Sequence, residues 1–148
     1  MPSKPTILFV HGAWHQPGHF VPITKVFESA GYEVVTPQLP SYNAFPAKDF
    51  EMYTDADLIR SETQKLVDQG KDVVLVLHSY GGIVGSQAAD QALGKRAREA
   101  EGKKGGIARL VYMCAFMLKP GDHLYSSFGG EVPSFIKVEV IALLPMKR

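Results

Sequence analysis

Cysteine is almost missing from this sequence: Cys114 stands alone, which excludes an internal disulfide and suits a reducing compartment. An excess of one charge is missing too. The 16 Lys and Arg against 15 Asp and Glu leave a net +1, so charge gives no reason to expect nucleic acid or an anionic membrane as a partner. No apolar run approaches the ~20 residues that cross a bilayer. Met1-Pro2-Ser3-Lys4-Pro5 leads into a short apolar strand with no long targeting segment or small-residue cleavage site, and the expected location is cytoplasmic. No metal-ligand spacing occurs. Gly81, Gly82 and Gly85 follow a serine instead of preceding a Lys-Ser/Thr pair, and no acidic residue closes the next strand, which argues against a phosphate or dinucleotide loop. No cofactor and no metal are expected. What remains, 148 residues at 45% hydrophobic and 21% charged, reads as one ordinary globular domain, 1–148, with enough chain for a core.

Two segments carry chemistry. In Val73-Val74-Leu75-Val76-Leu77-His78-Ser79-Tyr80-Gly81-Gly82 a β-branched apolar run drives into a serine, two glycines and a helical pattern. This is the layout of a nucleophile elbow, in which a buried strand ends in a sharp turn with the hydroxyl at its tip. Such a turn requires strained or left-handed backbone at Ser79. The usual signature is Gly-x-Ser-x-Gly; here Leu77 occupies the first glycine position. The second segment, Thr6-Ile7-Leu8-Phe9-Val10-His11-Gly12-Ala13-Trp14-His15, is another buried strand ending in His-Gly and a loop. Elbow hydrolases take one oxyanion donor from the residue after the nucleophile and one from the loop after an earlier strand. Tyr80 and Ala13 are placed to supply those amides.

Hydrophobic periodicity gives strand and helix in alternation. Phe20, Ile23, Phe27 and Ala30 line a first helix that stops at Gly31; a strand covers Tyr32 to Thr36; a loop from Pro37 to Thr54 carries Tyr42, Phe45, Phe50 and Tyr53. A second helix from about Asp55 puts Ala56, Ile59, Thr63 and Leu66 on one face and ends at Gly70. After the elbow a third helix carries Val84, Ala88 and Gln91-Ala92, then gives way to a polar stretch closing at Gly105-Gly106. The last clear strand is Ala108 to Phe116, and no internal repeat is visible. Alternation of this kind predicts an α/β fold, a doubly wound parallel sheet with helices on both faces. If the first and third strands are central neighbours, His11-Gly12-Ala13 and Ser79-Tyr80 emerge at one crevice.

With His11-Gly12-Ala13-Trp14-His15, Pro37-Gln38-Leu39-Pro40, His78-Ser79-Tyr80-Gly81-Gly82 and Leu110-Val111-Tyr112-Met113-Cys114-Ala115-Phe116 in order, the chain resembles the α/β-hydrolase superfamily. Its nearest look is to the compact branch of plant-type methylesterases and hydroxynitrile lyases with related fungal and bacterial esterases. The resemblance covers roughly residues 5 to 137. It implies a partial hydrolase fold of about four core strands, Ser79 as nucleophile, and a small ester or thioester as substrate. It also implies that the acid and then the base of the triad follow on further strands. Those strands are not recognisable here, and the run from Val138 to Arg148 departs from the family, so a C-terminally truncated or alternatively spliced chain is expected.

The remaining histidines read mostly as structural. His78 points to the face opposite Ser79, His11 braces the oxyanion loop, and His15 and His19 are solvated or pin that loop. Asp122-His123, after the last strand, is the in-chain acid and base pair with workable topology, set against a plain turn after Pro120-Gly121. Cys114 reads as a buried small hydrophobe. Lys95, Arg96, Arg98, Lys103 and Lys104 read as a solvated helix end. Three functions stay open: an esterase-type serine hydrolase, a non-catalytic relative acting as pseudoenzyme or binding module, and a flavodoxin-like binding domain, which accounts for the alternation but not the elbow. The uncovered edge of the last strand is expected to drive self-association, unless Val138–Leu144 covers it.

Overall fold

The structure, a computed structural model, describes residues 4–43, 52–119, 124–134 and 136. Chain contacts divide the protein into two units, 1–117 and 118–148. The first contains the sheet. Within the second, the described residues form one helical turn, α5 (Leu124–Ser127).

Four strands, β1 (Thr6–Val10), β2 (Val34–Val35), β3 (Asp72–His78) and β4 (Gly106–Met113), form one sheet in the order β2-β1-β3-β4. Every pairing is parallel. Parallel neighbours need crossovers that lay helices on the sheet faces, so central strands are apolar on both sides. All five residues of β1 are buried. Leu8 and Val10 face a cluster with Ala56, Ile59, Leu75, Leu77 and Val84. Ile7 and Phe9 face the opposite cluster with Phe20 and Val76. The period-two alternation of β1 thus separates the two layers: α1 (Val21–Ser29) covers one face, α2 (Met52–Asp68) and α3 (Gly81–Ala88) the other.

Several boundaries differ from the sequence pattern. β2 is two residues long, and α2 begins at Met52, ahead of Asp55. The third helix stops at Ala88, because the Asp90 carboxylate accepts from the Ala92 amide at 2.9 Å and starts a separate tight turn. The polar stretch after it contains a further helix, α4 (Lys95–Ala100). Two assignments need correction. Arg98 is buried, at 5% exposure, donating to the carbonyls of Gly105 (2.9 Å) and Val67 (3.0 Å), so the cation run is not wholly a solvated helix end. Cys114 is exposed: β4 ends at Met113, and the chain turns out through Cys114 with φ +46°. Val138–Leu144 lies outside the described residues.

No helix among the described residues is long and apolar enough to cross a membrane.

Candidate active site

β1 and β3 are adjacent, with Val10 paired to Leu77, so the segments that leave their C-terminal ends meet. β3 closes at His78, α3 opens at Gly81, and Ser79 between them has φ +53°. Left-handed backbone is unfavourable for a residue with a Cβ. Here the neighbours enforce it: the Ser79 carbonyl accepts the Gly82 amide at 2.9 Å and the Phe116 amide at 3.2 Å, tying the turn to the chain leaving β4. Ser79 is half-buried. Among the described residues no side chain hydrogen-bonds its hydroxyl.

The loop after β1 lies directly against this turn. A Cβ placed on Gly12 would come within 2.9 Å of the Ser79 Cβ and 3.0 Å of the His78 Nδ1, so only glycine permits the approach. On the helix side, a Cβ on Gly81 would meet the His11 carbonyl at 2.8 Å. Tyr80 follows Ser79 directly and Ala13 follows Gly12, and neither amide donates to another group among the described residues.

Around them the side chains are held by their own bonds. His11 is buried, and its Nε2 accepts the Leu39 amide at 3.0 Å, so the ring proton sits on Nδ1 and is donated to the Gly12 carbonyl at 2.9 Å. Burial, the largest influence, lowers its pKa. A neutral imidazole with both nitrogens engaged is a brace between β1 and the Gln38–Leu39 segment, not a free base. His78 turns away from Ser79 and stacks edge-on against Phe20 and His15, with ring centroids 5.1 and 5.5 Å apart. Its Nδ1 is buried without a partner among the described residues, and burial lowers its pKa. His15 bonds the Ala13 carbonyl through Nδ1 at 2.7 Å. The Asp122-His123 pair lies outside the described residues.

Sequence patterns missed one residue at this site. Asp55, in the first turn of α2, is fully buried and accepts three hydrogen bonds: Ser41 amide (3.0 Å), Ser41 hydroxyl (2.7 Å) and Tyr80 hydroxyl (3.0 Å). Burial, reinforced by this carboxylate, pushes the Tyr80 phenol pKa up. The available signal was a carboxylate on the apolar stripe of α2, one turn before Ile59. Together these elements enclose a crevice of 510 Å³ that Ala13, Trp14, Ser41, Tyr42 and Tyr80 help to line. A larger groove of 670 Å³ between α4 and β4 lies away from Ser79 and has no comparable constellation. Among the described residues, no group of three or more His, Cys, Asp or Glu is arranged to hold a metal ion.

Comparison with known proteins places the chain in a family. A family model described as "Alpha/beta hydrolase family" matches residues 7–145. The chain is 33% identical over 134 residues to the alpha/beta hydrolase nvfD of Aspergillus novofumigatus, covering 90% of this chain and 52% of that protein. It is 30% identical over 130 residues to the probable hydrolase R7 of a Phoma species, covering 87% and 50%. The chain thus spans about half the length of the curated relatives it matches. Its fold is similar to the crystal structure of a polyneuridine aldehyde esterase mutant, with a TM-score of 0.66 and 20% identity over 88% of this chain and 49% of that one.

Proposed function

This chain belongs to the alpha/beta hydrolase family, and from that premise we propose that it carries the nucleophile half of an esterase-type site for a small ester or thioester. Ser79 Oγ attacks the acyl carbonyl carbon, and the carbonyl oxygen, now an oxyanion, is received by the Ala13 and Tyr80 amides. The observation that carries this is the left-handed turn at Ser79 pressed against Gly12. Strain of that kind persists only where the surroundings hold it in place.

The attack requires a base to take the serine proton and return it to the leaving alcohol or thiol. Asp122-His123 is the proposed source within this chain. A second reading, a non-catalytic binding protein, is favoured by the free Ser79 hydroxyl: no base meets it among the described residues. Cys114 as an exposed free thiol fits a reducing compartment, so the proposed location is the cytoplasm. A small molecule is the proposed partner, with neither nucleic acid nor membrane involved.

Mass spectrometry after treatment with a fluorophosphonate decides between the readings. An adduct on Ser79, absent in Ser79→Ala, is expected for the hydrolase. Without a base, turnover of p-nitrophenyl acetate should stay at ~10³ to 10⁴-fold over water. Faster turnover abolished by both Ser79→Ala and His123→Ala would assign His123 as the base. No adduct and no turnover would leave the binding reading.

A further inference from the structure

Several polar residues that line the crevice beside Ser79 already spend their polar groups on other protein groups. Asp55 takes the Ser41 amide, the Ser41 hydroxyl proton and the Tyr80 hydroxyl proton. His11 spends Nδ1 on Gly12 and Nε2 on Leu39. His15 spends Nδ1 on Ala13. What such walls offer a ligand is chiefly ring surface, next to Ala13 and Tyr80, whose amides are the proposed oxyanion donors.

Against this background Trp14 stands out twice. At 76% exposure it is the most exposed large apolar side chain among the described residues. It also holds φ +59°, a conformation that bulky residues avoid. The backbone is strained at a residue that lines the cavity and carries a largely exposed side chain. Tyr42, 40% exposed, lines the same space. A strained, exposed Trp14 with an exposed Tyr42 beside a nucleophile-bearing turn is arranged for a ligand's ring, since offset or edge-on packing of planar groups recovers what solvent exposure of the indole forfeits.

We propose that Trp14 is the recognition residue of this crevice and that its ligands are small esters whose acyl group is an aromatic ring. The ring packs on the indole while the ester carbonyl points to the Ala13 and Tyr80 amides. Polyol and sugar esters are disfavoured, because the Ser41 and Tyr80 hydroxyls already donate to Asp55. The assignment rests on the hydrolase reading for the direction of the carbonyl only; ring recognition needs no turnover.

Trp14 is the sole tryptophan of the chain, so intrinsic emission reports on the site directly. The full chain is titrated with methyl benzoate and with methyl cyclohexanecarboxylate, similar in size but not planar, and binding is measured in parallel by equilibrium dialysis. A saturable change in Trp14 emission is expected with methyl benzoate, and about tenfold weaker binding of the saturated ester. Trp14→Leu should lose about tenfold in methyl benzoate affinity, while Trp14→Phe retains most of it, with circular dichroism matching the native chain. Equal binding of the two esters, no binding of either, unchanged affinity in Trp14→Leu, or binding that leaves the emission unmoved would each overturn the assignment. Fluorophosphonate labelling separates the two proposals: a chain that prefers methyl benzoate but takes no label keeps ring recognition and loses the hydrolase, and a labelled chain without preference does the reverse.

Discussion

Leu77 and Gly85 fit together as bump and hollow. Leu77 is fully buried at the position where hydrolase elbows ordinarily have glycine, and a Cβ added to Gly85 would overlap its Cδ2. The side chain missing from α3 is what makes room for the one added to β3. The elbow therefore tolerates its departure from the usual signature through a second glycine, six residues beyond the serine.

That pairing predicts coupled stabilities. Gly85→Ala should destabilise by about 1–3 kcal/mol through overpacking, despite the better helix propensity of alanine. Combined with Leu77→Ala, the two changes should cost less than their sum, with a coupling of about 0.5–3 kcal/mol. Urea denaturation of the single and double variants measures it; strict additivity would refute the fit.

Ser79→Gly should be at least as stable as the native chain. Left-handed backbone costs a non-glycine residue about 1–2 kcal/mol, and glycine's larger entropy loss returns about 0.5–1 of it. The expected net is a gain of at most about 1.5 kcal/mol, together with loss of the fluorophosphonate adduct. A marked loss of stability would mean that the turn is not strained.

Acid should weaken the fold through two histidines. Burial holds His11 and His78 below their ordinary 6.5, a value they regain on unfolding. Between the folded and unfolded values the unfolded chain binds more protons, so stability rises with pH there. It is complete above about 6.5 and declines below that until the folded-state rings protonate. Protonated His11 would also lose the lone pair that receives the Leu39 amide. The urea midpoint should fall as pH is lowered from neutral, and His78→Phe should lessen the slope without abolishing it. An unaltered slope would dismiss His78 from the effect.

Arg98 links three stretches of chain. Its guanidinium reaches the Val67 carbonyl at the end of α2 and the Gly105 carbonyl before β4, while its backbone belongs to α4. Asp68, at 3.1 Å, is 55% exposed and adds little. Arg98→Ala should cost about 3 kcal/mol, since hydrogen bonds to a charged donor are lost and two carbonyls are orphaned. Arg98→Lys should recover only part, lacking the planar fork. Thermal unfolding of both variants checks this ranking.

The edge of β4 should make this chain associate. Among the described residues β4 is a terminal strand, with Leu110 and Val111 exposed to 37% and 43%. Unpaired strand groups beside apolar side chains template further pairing. Sedimentation should show concentration-dependent association, and Val111→Lys should move the chain toward monomer. A native chain that stays monomeric at every concentration would contradict it.

The sheet was readable because β1 and β3 are unbroken apolar runs of strand length, closed by His-Gly and Ser-Tyr-Gly. Ser79 and Gly12 could be expected to meet from strand order alone. α4 was not readable: six residues, Lys95–Ala100, give too little periodicity, and their charges resemble a solvated end. The burial of Arg98 depends on carbonyls from two distant segments. Asp55 was legible only as the start of a helix, since a carboxylate's role is decided by donors such as Ser41 and Tyr80 that no local pattern brings near. Cys114 was misread because β4 stops one residue short of it.

The contact between Gly12 and Ser79 also bears on how the chain folds. Neither residue has the other within local reach, and registering β1 against β3 closes the whole stretch that carries α1, β2 and α2. Such long-range closure is slow and rewarded late, because chain entropy is lost before the contacts form. The crevice is therefore a late product of folding, and a partly folded chain should carry helices without any site. Recovery of Trp14 binding or Ser79 labelling after dilution from denaturant should lag behind recovery of helical circular dichroism, making the site a clock for completion of the central strand pair.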